Sequence, residues 1–267
     1  MWLELTDRLR KWQRNWESLI TVPKTSSRSA HVFAETTDNT AIFRAFAIAA
    51  ISGNARWDRI AAVLEDLVEP FHDFSPARFA VLSDRDLDHD IVPWFRARRA
   101  GSSRLRNVLG RLRETACILA GDTEGNAWKL LEKVHVQARG SPEEMALLLG
   151  TGSKFKLPGF GIALAAEALR LLGYDVCKPD RHVTRAIGAW GVVHFRTWPT
   201  GDFSAPQARP AELLATMLAV RALATANTVG VSYATSAIWL AGSVSGSRLK
   251  NDEFRQMVKN DRRARTH

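Results

Sequence analysis

Cysteine is scarce in this chain, which holds only Cys117 and Cys177, sixty positions apart. Two distant thiols do not make the disulfide framework of a small secreted domain, so the sequence favours a reducing compartment. Apolar runs are also short. The longest uncharged stretch, 222–247, is rich in Ser, Thr and Gly and has no apolar run near the ~20 residues that a membrane helix needs. The segment from Met1 to Asp7 is amphipathic and charged, unlike a signal peptide. We therefore expect a soluble protein of the cytoplasm or nucleoid, with no membrane partner.

Alternation of apolar and polar residues, the pattern of a half-buried strand, is missing over any length that could form a sheet. Apolar residues recur instead at helical spacing. The pattern predicts helices at about 2–20, 40–52, 56–69, 76–82, 84–97, 102–120, 125–138, 142–149, 161–172, 181–190, 210–226, 232–243 and 249–262. The histidines are too scattered to argue for a metal site. An all-α protein without a metal is expected.

Acidic residues are outnumbered, which gives a net charge of +9 and a pI near 10.1. Such a balance favours polyanionic partners. The imbalance peaks between Ile91 and Arg113, where Trp94 and Phe95 precede a run without any acid. Seven arginines lie there: Arg96, Arg98, Arg99, Arg104, Arg106, Arg111 and Arg113. Arginines among aromatic rings are typical of a DNA-facing loop, which needs phosphate contacts and stacking surfaces. A solvated helix face is the alternative, although such a face normally includes acids.

A glycine-rich segment, Lys156-Leu-Pro-Gly-Phe-Gly161, precedes a helical pattern that runs to Leu172. Gly159 and Gly161 can adopt the positive φ of a tight turn between helices, and Pro158 cannot continue the preceding helix. The free N–H groups at the start of the next helix would then point outward. That arrangement binds a phosphate without recognising base sequence. An ordinary connection between two helices is the alternative interpretation.

A single carboxylate, Asp180, begins the following helical segment. The preceding residues, Val176 to Pro179, are expected to be extended, because a residue before proline avoids the helical region. Asp180 can therefore cap a helix that starts at Arg181. Capping is the common role of such an Asp. Its place one helix and one short loop after the glycine turn favours a second role, in which it acts on the sugar of a strand whose backbone the turn binds.

These two segments resemble the motifs of a known family. Leu157-Pro-Gly-Phe-Gly161 and Pro179-Asp-Arg-His-Val183 are similar to the hairpin and catalytic-aspartate motifs of the helix-hairpin-helix-GPD superfamily of DNA glycosylases. Weaker similarity extends upstream to Ala50–Ala55, Leu82–Leu87 and Arg104–Val108, so that the resemblance covers residues 41–191.

The resemblance implies an all-α fold in which two helical subdomains flank a cleft that binds DNA and holds the active site. Residues 1–40 and 196–267 would form one subdomain. Residues 41–195 would form the other, with the helix-hairpin-helix motif at about 142–173. The implied partner is double-stranded DNA with a modified base, and a monomer is expected. No cofactor is expected, apart from room for a monovalent cation at the hairpin.

The resemblance also assigns roles to individual residues. Asp180 would be the catalytic residue, and Asn54 would fill the gap that an everted nucleotide leaves. Contacts to the DNA backbone would come from Lys156, Gly159, Phe160, Gly161, Ala163, Lys178, His182 and Arg104. The candidates for the base pocket are Phe43, Phe46, Ala47, Trp57, Trp94 and Trp239. Helical spacing explains the aromatic candidates equally well as core.

Three departures from the family pattern narrow the expectation. Bifunctional members carry a Lys where this chain has Ala163, so a Schiff-base nucleophile is missing there and strand cleavage is not expected. Lys154, Lys156 and Lys178 lie near in sequence. One interpretation is that one of them substitutes for the missing amine, and the favoured interpretation is that they neutralise phosphates. Members with an iron–sulfur cluster need four cysteines, and this chain has two. The stretch 41–53 has no acid, unlike the adenine glycosylases.

The expected reaction is hydrolysis of the N-glycosidic bond of a flipped base, which leaves an abasic site. Aromatic walls would suit a cationic alkylated purine, whereas small residues would leave room for a bulky modified base. The second option includes an anti-phage enzyme that excises hypermodified bases, such as glucosylated ones. A helix-hairpin-helix protein that binds DNA without catalysis is the alternative from a different class.

Overall fold

The structure is a computed structural model that describes residues 1–22, 24–25, 38–53, 55–121 and 127–264. Within these ranges every regular element is helical and none is a strand, which confirms the predicted all-α class. The chain forms two compact units. We call Ala30–Tyr174 the central unit, and Met1–Ser29 together with Asp175–His267 the terminal unit.

The division falls after Tyr174, whereas the sequence placed it after residue 195. The reason is the packing of the helix that follows Asp180. This helix lies against the three C-terminal helices of the chain and so belongs with them. Asp180 and the glycine turn are therefore in different units.

The central unit contains nine of the described α-helices. They are α2 (Asn39–Ser52), α3 (Trp57–Ala61), α4 (Pro76–Ala80), α5 (Asp84–Asp86), α6 (Val92–Ala97), α7 (Leu105–Gly121), α8 (Ala127–Gln137), α9 (Pro142–Gly150) and α10 (Ile162–Leu171). Two 3₁₀ turns, at Glu65–Val68 and His72–Phe74, and a π turn at Leu87–Ile91 accompany them.

Side-chain caps set where several of these helices begin. Asp38 accepts from the Thr40 N–H at the start of α2. Ser141 accepts from the Glu144 N–H before α9, where Pro142 occupies the first position, in which its missing N–H is harmless. A clustered phenylalanine core then holds the unit together: Phe43, Phe71, Phe79 and Phe95 are fully buried, with ring centroids 5.4–6.1 Å apart.

One predicted helix of the central unit, 84–97, is interrupted by the π turn. Pro93 explains the interruption. Its ring has no N–H and clashes with the carbonyl four residues earlier, in His89, so the turn before it widens. The predicted helix 56–69 is likewise two short pieces, α3 and the 3₁₀ turn.

The terminal unit contains α1 (Trp2–Trp12), a 3₁₀ turn at Trp16–Leu19, α11 (Arg181–Ala189), α12 (Pro210–Ala226), α13 (Val231–Ser243) and α14 (Asn251–Ala264). The first predicted helix stops early because Gln13 adopts an extended backbone. Its apolar stripe nevertheless continues, since Trp16 is buried and packs its ring 6.2 Å from that of Tyr233.

Length and hydropathy within the described residues single out no helix able to span a membrane. Only α12 and α13 taken together pass such a test, and they are bent by 107° at the break between them. Most of α13 is enclosed within the unit.

Candidate nucleic-acid interface and active site

The glycine turn lies in the central unit between α9 and α10. After Gly150 the chain forms a loop at residues 151–156 and then returns, because the Leu157 N–H donates to the Leu149 carbonyl over 3.0 Å. The Phe160 N–H donates to the Leu157 carbonyl over 3.1 Å and closes the turn. The glycine turn therefore begins beside the end of α9, and residues 151–156 form a separate loop between them.

The two glycines of the turn have different roles. Gly159 has φ +77°, and a Cβ there would lie 2.7 Å from the Arg111 Cβ, so the positive φ expected from the sequence is confirmed. Gly161 has φ −100° and ψ 172°, an extended backbone that any residue adopts, and open space surrounds its missing side chain. The expectation of positive φ at Gly161 was wrong, because this residue is the N-cap of α10 and not part of the turn.

The backbones of α9 and α10 touch beside the turn. A Cβ on Gly150 would lie 2.4 Å from the Ile162 nitrogen and 2.5 Å from its Cα. These are backbone atoms, which no rotamer change can move. Gly150 therefore fixes the two helices against one another, and the turn is held by both.

The backbone N–H groups and the carbonyls around the turn differ in whether they have hydrogen-bond partners. Among the described residues, no acceptor pairs with the N–H groups of Gly161, Ile162 and Ala163, which open α10. The carbonyls are engaged, since the buried Thr115 hydroxyl donates to that of Pro158 over 3.0 Å. The turn therefore offers N–H groups to an anion, as a helix N-terminus does.

Lys156 supplies a positive charge at the same place. Its Nζ donates to the Phe160 carbonyl over 3.3 Å, so an ammonium group lies against the turn. The Phe160 ring is 2% exposed and packs edge-on against Phe46, 5.3 Å between centroids. The Phe160 ring therefore presents no surface to a ligand, and the backbone N–H and carbonyl of Phe160 already have partners in the turn.

The cationic run is smaller than its sequence suggests. Three of its arginines pair with acids outside or at the edge of the run: Arg106 with Asp84 and Asp88, Arg113 with Asp84, and Arg111 with Glu114. The pairs with Asp84 and Asp88 were not visible in the sequence, because 18 to 29 positions separate the partners. Arg111 and Glu114 are only three positions apart.

We call residues 96–104, which comprise the end of α6 and the connection to α7, the arginine loop. Arg96, Arg99 and Arg104 are exposed there, and no acid pairs with them in the described parts of the chain. Arg98 lies with its guanidinium 4.0 Å from the centre of the Trp94 ring. The loop leads into α7, and α7 carries Arg111 and Thr115 beside the glycine turn. At 1.5 Å per residue, the loop and the turn are about 9–15 Å apart along that helix.

The predicted pocket residues do not form one group. Phe43, Phe46 and Ala47 are fully buried in the core on α2, so they present no surface to a base. Trp57 is 44% exposed, and Trp94 is half-buried with its Nε1 lacking a hydrogen-bond partner among the described groups. Trp239 is in the terminal unit. The predicted wedge, Asn54, lies outside the described residues.

Asp180 caps α11 in the terminal unit. Its Oδ1 accepts from the N–H groups of His182 and Val183, over 2.9 and 3.1 Å. No described group donates to Oδ2, and the side chain is partly exposed. Capping thus occupies one oxygen and leaves the other for a ligand. The carboxylate is also held in one orientation, which a catalytic group needs.

His182 shares a carbonyl with a buried arginine. Its Nδ1 donates to the Gly242 carbonyl near the C-terminus of α13, over 3.0 Å, and Arg185 Nη2 donates to the same oxygen over 2.8 Å. The Arg181 Nε donates to His182 Nε2 over 3.2 Å. Burial lowers the pKa of His182, and the charges of Arg181 and Arg185 add to that effect while Asp180 opposes it.

Arg185 was not anticipated from the sequence. It is 1% exposed, lies between the rings of Phe203 and Phe254 at 5.5 and 5.6 Å, and its Nε has no hydrogen-bond partner among the described groups. No described carboxylate forms an ion pair with it. Burial, together with Arg248 and Arg181, lowers the pKa of Arg185 to about 10. Arg185 lies on the apolar face of α11, and the sequence of that helix contains no acid. This pattern is visible in the sequence and could have marked Arg185 as unusual.

The structure thus brings the predicted site residues together in two sets. Asp180, His182 and Trp239 are neighbours in the terminal unit, where the His182 and Trp239 ring centroids are 6.0 Å apart, and Lys178 lies two residues before Asp180. The central unit holds the other described ones: Lys156, Gly159, Phe160, Gly161, Ala163, Arg104, Phe43, Phe46, Ala47, Trp57 and Trp94. No group of three potential metal ligands occurs in the residues that the structure covers.

Comparisons with protein-family models, with curated proteins and with solved structures returned no match for this chain. The geometry of the two sets of residues therefore carries the functional argument by itself.

Proposed function

We propose that the protein is a monofunctional DNA glycosylase, which hydrolyses the N-glycosidic bond of a flipped, modified base in double-stranded DNA. Asp180 is its catalytic residue. The observation that carries the proposal is the state of this carboxylate: two backbone N–H groups hold one oxygen, and the other oxygen has no partner among the described groups.

The glycine turn supports backbone binding. The N–H groups at the start of α10 attract an anion through the positive end of the helix dipole, and the Lys156 ammonium lies beside them. A DNA phosphate fits both features. Such contacts position a strand and carry no sequence information, which suits an enzyme that must act at a lesion in any sequence.

The arginine loop supports a wider contact with the same duplex. Arg104 directly precedes α7, and the α7 residues beside the turn lie about 9–15 Å further along that helix, which corresponds to roughly three to four base pairs at 3.4 Å each. Arg98 on the Trp94 ring presents a stacked, planar surface suited to a base. Together these groups form a backbone-binding surface of the central unit.

The chemical step follows from the charge on Asp180. As the base leaves, positive charge develops on the deoxyribose, and a carboxylate close to the anomeric carbon stabilises it. A unit charge about 4 Å away, at an effective dielectric near 20, is worth roughly 4 kcal/mol. That corresponds to about a thousandfold in rate. The same carboxylate orients the water that completes the hydrolysis.

Strand cleavage is not part of the proposal. Ala163 gives the first turn of α10 a methyl group where a lyase would need an amine. Lys156 is engaged with the Phe160 carbonyl. Borohydride should therefore trap no covalent complex with abasic DNA.

The decisive experiment uses Asp180→Asn. Asparagine caps helices as well as aspartate does, so the fold is retained while the negative charge is lost. We expect unchanged duplex binding and a fall of about a thousandfold in single-turnover base release. Asp38→Asn is the matched control, because Asp38 caps α2 in the same way in the central unit. Its base release should stay at the wild-type level.

The substrate panel should contain duplexes with alkylated, oxidised, deaminated and glucosylated bases. Release of one of these bases by the wild type identifies the class that the enzyme acts on. Tight, salt-sensitive binding without release from any member would instead establish a protein that only binds DNA. Near-normal release by Asp180→Asn would remove Asp180 from the catalytic role.

A further inference from the structure

The hydrogen bonds of His182 define the state of its ring. Carbonyl oxygens only accept, so the bond to Gly242 requires a proton on Nδ1. Arg181 Nε only donates, so the bond to Nε2 requires a lone pair there. His182 is therefore neutral, with Nδ1–H pointing inward and an accepting nitrogen on the other side of the ring.

This state conflicts with the role that the sequence suggested for His182, a contact to the DNA backbone. Phosphate oxygens are acceptors, and an accepting Nε2 has no proton to give them. A partner at Nε2 must bring its own O–H or N–H. In the structure that partner is Arg181, whose side chain is exposed.

The groups that face the His182 ring act in both directions, and those that favour the neutral form prevail. Arg181 and Arg185 on α11 oppose a further positive charge, Asp180 favours it, and α13 contributes the Gly242 carbonyl and the edge-on Trp239 ring. Burial is the largest influence and lowers the pKa of His182. Arg185 also donates to the Gly242 carbonyl and so fixes the atom on which His182 is anchored.

We propose that His182 is a positioning residue, whose Nε2 accepts an O–H of the attacking water at the Asp180 site. The proposal rests on the proposed glycosylase function. On binding of a strand, Arg181 turns to a phosphate and releases Nε2. Water then donates one O–H to His182 Nε2 and the other to Asp180 Oδ2. These two hydrogen bonds direct a lone pair of the water oxygen at the anomeric carbon. The proton released on attack passes to Asp180, and the departing base takes the electrons of the broken bond.

The first test needs no activity. The ¹⁵N shifts of the His182 ring in the free protein at pH 7 should show the neutral form with the proton on Nδ1. His182→Asn serves to assign the signals. A doubly protonated ring, or a proton on Nε2, would overturn the proposal.

The second test separates water positioning from phosphate binding. Asn places an amide at the position of Nδ1, so His182→Asn keeps a donor for Gly242 and removes the acceptor at Nε2. We expect it to keep the affinity and salt dependence of the wild type on an unmodified duplex, and to lose about a hundredfold in single-turnover base release. Lys156→Gln is the comparison variant for a phosphate contact, and its salt slope should fall by about one.

The two hypotheses fail in different ways. A salt slope reduced in His182→Asn as in Lys156→Gln, with base release unchanged, would make His182 a phosphate ligand and refute the proposal. Absence of base release by the wild type from every duplex would refute the glycosylase function itself. In that case the ring state and the salt slope still decide whether His182 accepts a donor or contacts phosphate.

Discussion

Replacement of Gly159 by alanine should damage the turn far more than replacement of Gly161. The sequence treats these two glycines alike, and the structure separates them. Gly159 has φ +77°, whereas Gly161 has φ −100°. An alanine at position 159 would have to adopt a left-handed backbone, which costs about 1–2 kcal/mol.

A steric term adds to this cost. The new Cβ would lie 2.7 Å from the Arg111 Cβ, and that atom is attached directly to the α7 backbone, so no rotamer relieves the overlap. Overpacking of this kind costs about 1–3 kcal/mol. The sum is about 2–5 kcal/mol for Gly159→Ala. Gly161→Ala meets no atom within 4 Å and should change the unfolding free energy by less than about 1 kcal/mol.

Urea or thermal unfolding of both variants, with duplex binding in parallel, measures the difference. Gly159→Ala should unfold on the order of 10 °C earlier than the wild type and bind duplex DNA more weakly. Equal effects of the two substitutions would show that the left-handed turn and the contact with Arg111 do not determine stability. Weaker binding by a fully stable Gly161→Ala would place the phosphate directly against Gly161.

Two further expectations follow from the charges. Arg104→Gln should reduce the salt slope of duplex binding by about one. Arg106→Gln should leave the slope nearly unchanged, because Arg106 is already paired with Asp84 and Asp88. Equal slopes in the two variants would contradict this division of the arginines into free and paired ones. The free energy of unfolding should fall as the pH drops below about 6.5, because the unfolded chain accepts a proton on His182 that burial makes unfavourable in the folded state. His182→Asn should flatten that part of the pH profile, and an unaltered profile would show that this residue does not contribute.

Much of the fold was accessible from the sequence because the helices have strong local signals. Helix α12 has the predicted bounds, since Pro210 starts it and Glu212 accepts from the Arg209 N–H at its N-terminus. The π turn before Pro93 and the early stop at Gln13 were missed. Pro93 is visible in the sequence, but the predicted helix followed the period of the apolar residues, which does not show where a proline widens a turn. The stop at Gln13 depends on how the segment packs.

The site was accessible only in part, for a related reason. Asp180 was recognised as a cap, and the two N–H groups that it accepts from confirm this role. The partners of His182 and Arg185 could not be found, because Gly242 lies 60 and 57 positions later in the chain. The ion pairs that Arg106 and Arg113 form with acids 18 to 29 positions earlier are similarly hidden from the sequence. Sequence patterns locate charged residues, but the neutralisation of their charge depends on tertiary contacts.

The loop at 151–156 has an evolutionary consequence. Since the Leu157 N–H rejoins the Leu149 carbonyl, the residues in between form an appendage whose length can change without altering the geometry of the turn. Lys154 and Lys156 both lie on it. Under the proposed function, a longer or shorter appendage would change the electrostatic contribution to DNA binding and leave the helix that Asp180 caps unaltered. Natural selection could then adjust the residence time on DNA independently of base release.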